Sequence, residues 1–512
     1  MWNYDVALIG LGPVGCAAAI LFAEAGLKVV AFERDTEVYR LPRAVNLDGE
    51  IIRAFQSSGR GKAVEALMQP VRPGDRAGFA NSMRQWMFGV EASSFGSNGW
   101  QPMSMFDQPE FENYLRQQAV THPLVTAYVG VDVHDARSDD DCVSITFGGD
   151  EVVVARYTVA CDGAASETRK ALGIDWLDLG YDHDWLVVDV TTKKRHTLGN
   201  DTLQVCDPDR ISTYVCTKDP YRRWEFKLLP GETAEQMLET ETIMSLIDPW
   251  TPRDTYEIRR AAVYQFHAAI AAKWRDGNIF IAGDAAHQTP PFLGQGMNIG
   301  MRDVINLAWK LPMVVRGQAQ DALLDTYYSE RNAHAHDLVE WAVEIGKLME
   351  HLAEVERCQR SGLALPEEQT RLKSSGYGQG REQPPIREGA VVLDQVGGQG
   401  STGYLFSQPI VENASGKHIR LDELLGAGIA IVTSSARMPV LANDTQALVD
   451  QLGISMVSIS KLSVVKGHFD RLFEQYETAI VRPDRIVFGH TTDKLSLDDL
   501  IRQLARKLHV IA

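Results

Sequence analysis

Two stretches of this 512-residue sequence combine small, acidic and proline residues in an order that packing alone does not require. In the first, Gly10-Leu11-Gly12-Pro13-Val14-Gly15 separates a short apolar run at residues 6–9 from an alanine- and leucine-rich segment of helical character. Glycine at position 10 permits a tight turn, at 12 it lets a pyrophosphate approach the backbone, and at 15 it lets helix and strand pack closely. The helix start then offers unpaired amides and a partial positive charge to phosphate. Glu33, eighteen positions after Gly15, closes a second β-branched run, where a carboxylate can accept both hydroxyls of an adenosine ribose. A glycine-rich turn without a ligand is the alternative, and the acidic residue and both strands count against it. This stretch calls for a dinucleotide and leaves FAD and NAD unseparated.

The second stretch lies about 270 residues further on. Ile279-Phe280-Ile281-Ala282-Gly283-Asp284-Ala285-Ala286-His287 puts an acid among small residues at the C-terminal end of a strand, where open parallel sheets bind ligands. Asp284 is suited to accept from a ribityl hydroxyl. Pro290-Pro291-Phe292-Leu293-Gly294-Gln295-Gly296-Met297-Asn298 follows, a stiff turn and two glycines opening a helix. Amides at such a helix start suit the negative N1 and C2 carbonyl edge of a reduced isoalloxazine. Taken alone, this is equally a helix-capping loop. Taken with the first stretch, it points to FAD.

The elements that must position these residues follow from periodicity. Strand, turn, helix and strand over residues 6–32 form the βαβ unit of a parallel sheet. Helices are expected at 47–57 and 109–120, the latter with Asp107 as cap and Pro109 in its first turn, and strands at 124–131, 142–147 and 152–160. From about 175 to 260 the pattern becomes alternating and aromatic-rich, at 185–189, 212–216 and 223–228, which suggests an antiparallel sheet inserted into the nucleotide domain. The first architecture resumes with a strand at 278–282, a helix at 297–316 and a charged helical stretch at 319–356. Gly, Pro, Gln and Ser accumulate at 361–407, as in Ser374-Ser375-Gly376-Tyr377-Gly378-Gln379-Gly380, which marks a linker or a long excursion. A last unit has apolar runs at 428–432, 455–459 and 478–481 and a helix at 497–508.

Composition narrows the function. The length predicts about three domains, and 45% hydrophobic with 23% charged residues is globular. With 51 basic against 68 acidic residues the formal charge is -17, which disfavours nucleic acid. The six cysteines contain no C-x-x-C pair, so neither a zinc ribbon nor a disulfide framework is written, and a reducing cytoplasm is expected. The N-terminus has no basic n-region, and glycines, Glu24 and Lys28 break the apolar stretch after it, so neither a signal peptide nor a membrane span is expected. No metal is called for: there is no H-E-x-x-H, and His334 and His336, two apart on a helix, point to different faces.

The glycine fingerprint with Glu33, then Cys161-Asp162-Gly163-Ala164 before Arg169, then Gly283-Asp284-Ala285-Ala286-His287 and Gly294-Gln295-Gly296-Met297-Asn298 resemble the flavin-dependent aromatic hydroxylases typified by para-hydroxybenzoate hydroxylase. The likeness covers about residues 1–345. Trp185 to Asp189, Gln204-Val205-Cys206-Asp207-Pro208 and Arg223-Trp224-Glu225-Phe226 resemble the 3-(3-hydroxyphenyl)propionate hydroxylase branch, and Val481-Arg482-Pro483-Asp484 the thioredoxin-like C-terminal domain of phenol and polyketide hydroxylases, here without cysteine. The resemblance implies an α/β fold with a Rossmann-like FAD-binding domain at 1–175 and 277–350. It implies an inserted, mostly antiparallel substrate sheet at 176–276 with contributions from about 75–105, a helix and linker at 351–407, and a thioredoxin-like domain at 408–512.

It also implies roles. Gly10, Gly12, Pro13, Val14 and Gly15 would hold the FAD pyrophosphate, and Glu33 the ribose. Arg34, beside Glu33, falls in the same FAD pocket and does not decide between NADH and NADPH. Arg43 would lie near the flavin, Gln108 would hydrogen-bond the FAD linker, and Val133 would touch adenine through its backbone. Asp162 and Gly163 match a motif serving both FAD and the nicotinamide cofactor, with a plain strand-end turn as the alternative. Asp284 would bind the ribityl chain, and Leu293, Gly294, Gln295, Gly296, Met297 and Asn298 the pyrimidine edge. With one glycine fingerprint, NADH or NADPH would bind transiently in a cleft. Substrate contacts are expected from Tyr214 and Trp224, with Tyr181, Tyr264 and His267 as looser candidates. His287 and Pro291 are candidates near the chemistry, His287 either relaying a proton or packing behind the flavin. Arg210, Arg222 and Arg223 could take a substrate carboxylate.

The implied reaction is hydroxylation of a phenolic ring, including phenylpropionate-like acids, by a flavin C4a-hydroperoxide formed from molecular oxygen, the protein excluding water and aiming the ring. Polyketide hydroxylase, epoxidase and Baeyer-Villiger chemistry share the same cofactor sites and stay open, as does a homodimer. A flavin-binding sensor or scaffold is the reading from another class, against which the intact loop at 294–298 counts.

Overall fold

The computed structural model describes residues 2–91, 95–365, 383–397 and 401–510. The strand Tyr4–Ile9 lies between Val29–Glu33 and Glu151–Ala160, paired parallel to both, and the sheet extends in parallel to Val125–Val129 on one side and Ile279–Ile281 on the other. Both faces are covered, so Val29–Glu33 is buried throughout and shows no polar alternation. The hairpin Val133–Ser138 and Val143–Phe147 adds antiparallel to Glu151–Ala160.

A second sheet of eight strands runs in the order His287–Gln288, Tyr256–Ala271, Trp176–Thr192, Tyr221–Lys227, Ser212–Val215, Thr202–Val205, Arg76–Ala80 and Trp86–Glu91. Its outer face carries Leu186, Val188, Tyr214, Trp224 and Phe226 against Ile243 and Ile247 of the short helix Thr240–Ile247. Its inner face looks onto the nucleotide domain. Two strands here reach past their sequence boundaries. Trp176–Thr192 and Tyr256–Ala271 pair over most of their length, with register irregularities after Asp178 and Asp189. The second of these, mostly beyond the expected strand region, ends beside His287–Gln288 and so ties the second sheet to the second motif.

Helix Gly296–Val315 packs on helix Pro13–Glu24, and the 36-residue helix Thr326–Ser361 follows after a 3-10 turn at Asp321–Asp325. Gly362, at φ 65°, ends it in the left-handed region. The expected linker is in part packed core: Ala390 and Val391 are fully buried, and Val392 N donates to Phe488 O at 2.9 Å. The Ser374 to Gly380 segment lies outside the described residues. The last unit is a four-stranded sheet ordered Ser455–Ser458, Ala430–Thr433, Thr478–Val481 and Val487–His490, the first pair parallel and the others antiparallel, with helices Asn443–Leu452 and Leu497–Lys507. It is joined to the nucleotide domain by buried charges. Arg482 pairs with Glu330 at 2.8 Å, beside Lys310, and Arg53 pairs with Asp422 at 2.8 Å. Among the described residues no helix is long and apolar enough to cross a membrane.

Candidate active site

At the C-terminal edge of the parallel sheet, Gly10 has φ +96°, and a Cβ on Gly15 would fall 2.0 Å from the Gly10 carbonyl oxygen. Only glycine lets the helix begin so close to the strand. Gly12 has no atom within 4 Å of its absent Cβ, so its backbone faces open space. The first intrahelical bond runs from Cys16 N to Gly12 O, which leaves the Val14 and Gly15 amides without an intrahelical acceptor. The Glu33 carboxylate accepts from Leu11 N at 2.7 Å and Asp35 N at 2.9 Å, and so fixes the turn while each oxygen keeps a lone pair for a further donor. Gly130 N and Val131 N donate to Glu33 O, which brings the turn before the half-buried Val133 to the same corner. Arg34 points outward with 71% of its side chain exposed, beside Asp35.

Across the crevice, Asp284 belongs to the 3-10 turn Gly283–Ala285. Its side chain has accessible surface, yet the surrounding protein pushes its carboxyl above the ordinary range, with His287 and Arg43 pulling it back. The Arg43 loop is held by Gln108, whose Oε1 accepts from Arg43 N at 2.9 Å and Ala44 N at 2.7 Å. Gly294 has φ +61°, and a Cβ there would lie 1.8 Å from Asn46 Oδ1. Asn298 then locks the helix start: its Oδ1 accepts from Asp48 N at 3.0 Å and its Nδ2 donates to Gly294 O at 3.0 Å. The first intrahelical acceptor is used by Ile299 N, bound to Gln295 O, so the amides of Gly296, Met297 and Asn298 have no intrahelical partner. Leu293 and Pro291 form the 3-10 turn leading into this start.

His287 is not in the opening. It is buried, its Nε2 lies 2.7 Å from Asp303 Oδ2, and Asp303 also accepts from Gly283 N at 3.1 Å and Arg331 Nε at 3.0 Å. Of the two alternatives for His287, packing behind the motif is the one seen. Asp162 is similarly committed, accepting from Ser166 Oγ at 2.6 Å and Thr168 N at 3.0 Å, the strand-end turn that stood as its alternative. His334 is buried, and His336 is half-buried beside Glu340, on different faces of their helix.

Residues 3–342 match the family model described as an FAD binding domain, and residues 403–507 match the HcaD C-terminal domain. The chain is 30% identical to a probable NADH-specific resorcinol 4-hydroxylase of Rhodococcus jostii (strain RHA1), over 98% of this chain and 94% of that one. This chain belongs to the FAD-binding domain family. It is also 32% identical to 3-(3-hydroxy-phenyl)propionate/3-hydroxycinnamic acid hydroxylase 2 of Burkholderia vietnamiensis (strain G4 / LMG 22486), over 95% and 93% of the two chains. In fold it resembles aklavinone-11 hydroxylase in its complex with FAD and aklavinone, with a TM-score of 0.79, 24% identity and 99% of each chain covered.

In this member of the FAD-binding family, the inner face of the second sheet roofs the crevice. One row of cross-strand neighbours runs Phe79, Gln204, Thr213, Glu225, Val187, Ala262. Gln204 Nε2 donates to Phe292 O at 3.3 Å and accepts through Oε1 from Thr213 Oγ1 at 2.7 Å, which pins this face to the turn at Pro291–Leu293. On one side of the row, Trp185 packs edge-on against Phe292 at 5.3 Å, and Tyr181 does so at 5.6 Å. On the other side, Arg223 donates to Asp189 at 2.8 Å, to Arg43 O at 2.7 Å and to Pro42 O at 2.8 Å. Arg260 joins them through Asp189, Pro42 O and the Tyr264 hydroxyl.

This register corrects the substrate expectation. Tyr214 and Trp224 face the opposite way, into the helix-covered core, where Tyr214 donates to Gly199 O at 2.8 Å and stacks on Trp250 at 5.1 Å. Their chain neighbours Thr213 and Glu225 take the inner positions. A strand covered on both faces can bury an aromatic on either, and the signal available was that each aromatic alternates with a polar residue that only a site would bury. His267 lies toward the surface near Asp182. Arg210 is paired with Glu232, and Arg222, on the outer face, with Asp219. A cavity of about 1220 Å³ lies elsewhere, between helices Gly49–Ser57 and Gly296–Val315 and the C-terminal unit. It is lined by Arg53, Arg302, Asp422 and Arg485, and none of the glycine-motif residues borders it.

Proposed function

We propose that this chain is an FAD monooxygenase that uses NADH or NADPH and molecular oxygen to hydroxylate a phenolic ring in the gap between the two motifs and the inner face of the second sheet. The observation that carries this reading is the convergence on one gap of the unpartnered amides at Gly296 to Asn298, the Arg43 and Asp284 side chains, and the Gln204–Thr213–Glu225 row. The names of the curated relatives support the substrate class, and the Rhodococcus relative's name supports NADH.

Three features support the fit of FAD. Gly12 leaves space where a side chain would stand, Glu33 keeps lone pairs for a ribose, and Asp284 offers an accessible carboxylate under a helix start. We assign the pyrophosphate to Gly10 through Gly15, the ribose to Glu33, the adenine corner to Val133, the linker to Gln108, the ribityl chain to Asp284, and the pyrimidine edge to Leu293 through Asn298, with Arg43 facing Asp284. When bound, FAD supplies two-electron reduction by the nicotinamide and oxygen activation. The protein's share is to hold, orient and dry the site. Overall, one ring C–H becomes C–OH, the second oxygen atom leaves as water, and the nicotinamide is oxidised by two electrons.

We further divide the chain into an FAD-binding domain at 1–175 and 277–350, a substrate sheet at 176–276 that recruits two strands from 76–91, and a thioredoxin-like unit at 408–512, on the strand order given above. Six unpaired cysteines support a cytoplasmic setting. The test is direct: the purified protein should be yellow, and phenols should stimulate NAD(P)H oxidation with stoichiometric incorporation of one oxygen atom. A colourless protein that takes up no flavin overturns the reading, and flavin that turns over with every phenol uncoupled favours the scaffold instead.

A further inference from the structure

Glu225 is the one member of the inner row whose chemistry the fold does not use. It sits at the centre of the sheet, between Thr213 on one neighbouring strand and Val187 on the other. The row beside it is tied to Pro42 and Arg43, and Gln204 in its own row is tied to Phe292, so its carboxylate lies between the two loops that bound the gap. Only 5% of its side chain is exposed, and among the described residues no hydrogen bond reaches it. The nearest cation, Arg223 Nη1, stands at 3.9 Å and already donates to Arg43 O. A buried carboxylate without donors is costly unless a ligand completes it.

The neighbouring charges decide what that ligand is. Arg223 is spent on Asp189 and two carbonyls, and Arg260 on Asp189, Pro42 O and the Tyr264 hydroxyl. Arg260 Nε alone has no acceptor, a single donor where a carboxylate needs a fork. Lys227, on the same face, is paired with Glu350 of the long helix. Two cations, Arg223 and Arg260, thus meet two acids, Asp189 and Glu225, and across the gap Arg43 faces Asp284. The set is balanced when Glu225 is ionised, and a carboxylated ligand would add an unpaired negative charge to a closed site.

Resting on the hydroxylase reading above, we propose that Glu225 is a catalytic residue that accepts the ring hydroxyl of the substrate and takes its proton, and that the site accordingly admits an uncharged phenol and excludes a phenol that carries a carboxylate on its ring or side chain. In this step the phenol O–H bond breaks, the proton moves to Glu225 Oε and the electron pair stays on the ring oxygen, raising the electron density that an electrophilic oxygen requires. After the new C–O bond forms, the ring carbon loses its hydrogen as a proton, and Glu225 returns its own proton to the ring oxygen. Burial pushes the Glu225 carboxyl up to about 7, with Arg223 lowering it, Asp189 raising it and Arg260 lowering it, so it exchanges a proton near neutrality.

The experiment uses the FAD-loaded full-length protein, with resorcinol as the uncharged probe and 3-(3-hydroxyphenyl)propionate as the charged one. Titration of the oxidised flavin band reads binding without turnover. Resorcinol should bind at least about 10-fold more tightly, and tighter binding of the acid overturns the charge assignment even if neither compound is hydroxylated. Glu225→Gln keeps the shape and should retain full flavin content while kcat on resorcinol falls about 100-fold. The wild-type rate should rise with pH through about 7, as the carboxylate form becomes populated, and the variant should lose that rise. A variant that hydroxylates within threefold of wild type with the same pH limb overturns the catalytic role. Failure of wild type to hydroxylate any phenol while it still prefers the uncharged ligand overturns the hydroxylase reading and leaves the binding inference standing.

Discussion

The crevice motifs and the sheet that roofs them are built by opposite strategies. Around Gly10 to Gly15 and Gly294 to Asn298, backbone does the work: positive φ at Gly10 and Gly294, amides without intrahelical partners, and side chains such as Asn298 that only brace the turn. On the roof, the side chains face the gap and the backbone is consumed by strand pairing. The first strategy is local and tolerates almost no added atom. The second is set by register, and one residue of slip would exchange Glu225 for Trp224.

The sharpest way to break this contrast is Gly15→Val. Its Cβ would meet Gly10 O at 2.0 Å, so flavin content should fall below about a tenth of wild type or the protein should fail to fold; normal absorbance at wild-type yield would remove the close-packing explanation. On the roof, Asp189→Asn leaves the buried pair Arg223 and Arg260 with one positive charge in excess and should cost about 3–5 kcal/mol in denaturant unfolding, a loss that a merely peripheral pair would not produce. Asp284→Ala should weaken FAD by about 10- to 100-fold, the range of one charged hydrogen bond, as measured by equilibrium flavin release. Retention of FAD at wild-type affinity would detach Asp284 from the ribityl assignment.

Glu330 provides a control outside both regions. Burial alone would raise its carboxyl, but Arg482 and Lys310 hold it down at about 2. Because its folded value lies below the unfolded one, its contribution is present above about pH 4.5 and is lost as pH falls toward 2. Docking of the C-terminal unit should therefore loosen across that window, seen as increased proteolysis or hydrogen exchange there, and Glu330→Gln should flatten the dependence. The smallest effect is expected for Tyr214→Phe: about 1 kcal/mol of stability from the lost bond to Gly199 O, with kcat/KM unchanged. A tenfold drop in kcat/KM would put Tyr214 back on the substrate side.

These differences account for what could be read in advance. The turns at the glycine motifs and the place of Glu33 at its strand end are legible because consecutive residues specify their backbone geometry. The helix expected at 109–120 is found at Gln108–Val120, and the apolar run at 478–481 forms the strand Thr478–Val481, for the same local reason. The inward side of Tyr214 and Trp224 is hard to read because both faces of these strands are buried, so the large aromatics draw the eye while the alternating Thr213, Arg223 and Glu225 are the residues that face the gap. The strand Tyr256–Ala271 was largely missed because its path follows pairing with Trp176–Thr192 across irregular positions, a partner nearly eighty residues away. Arg223 read as a free cation in the sequence. Its neutralisation by Asp189 depends on strand register, which no local pattern carries.

The bond of Arg223 to the carbonyls of Pro42 and Arg43 has a practical consequence for anyone reshaping this enzyme. The roof is fastened to the same loop that faces Asp284, so under the proposed site assignment specificity and cofactor seating share a bolt. On that assignment, positions such as Val187 and Ala262, which bring no side-chain hydrogen bond to the row, are open to enlargement or polarity swaps for new rings, whereas altering the arginines would retune recognition only by shaking the prosthetic group loose.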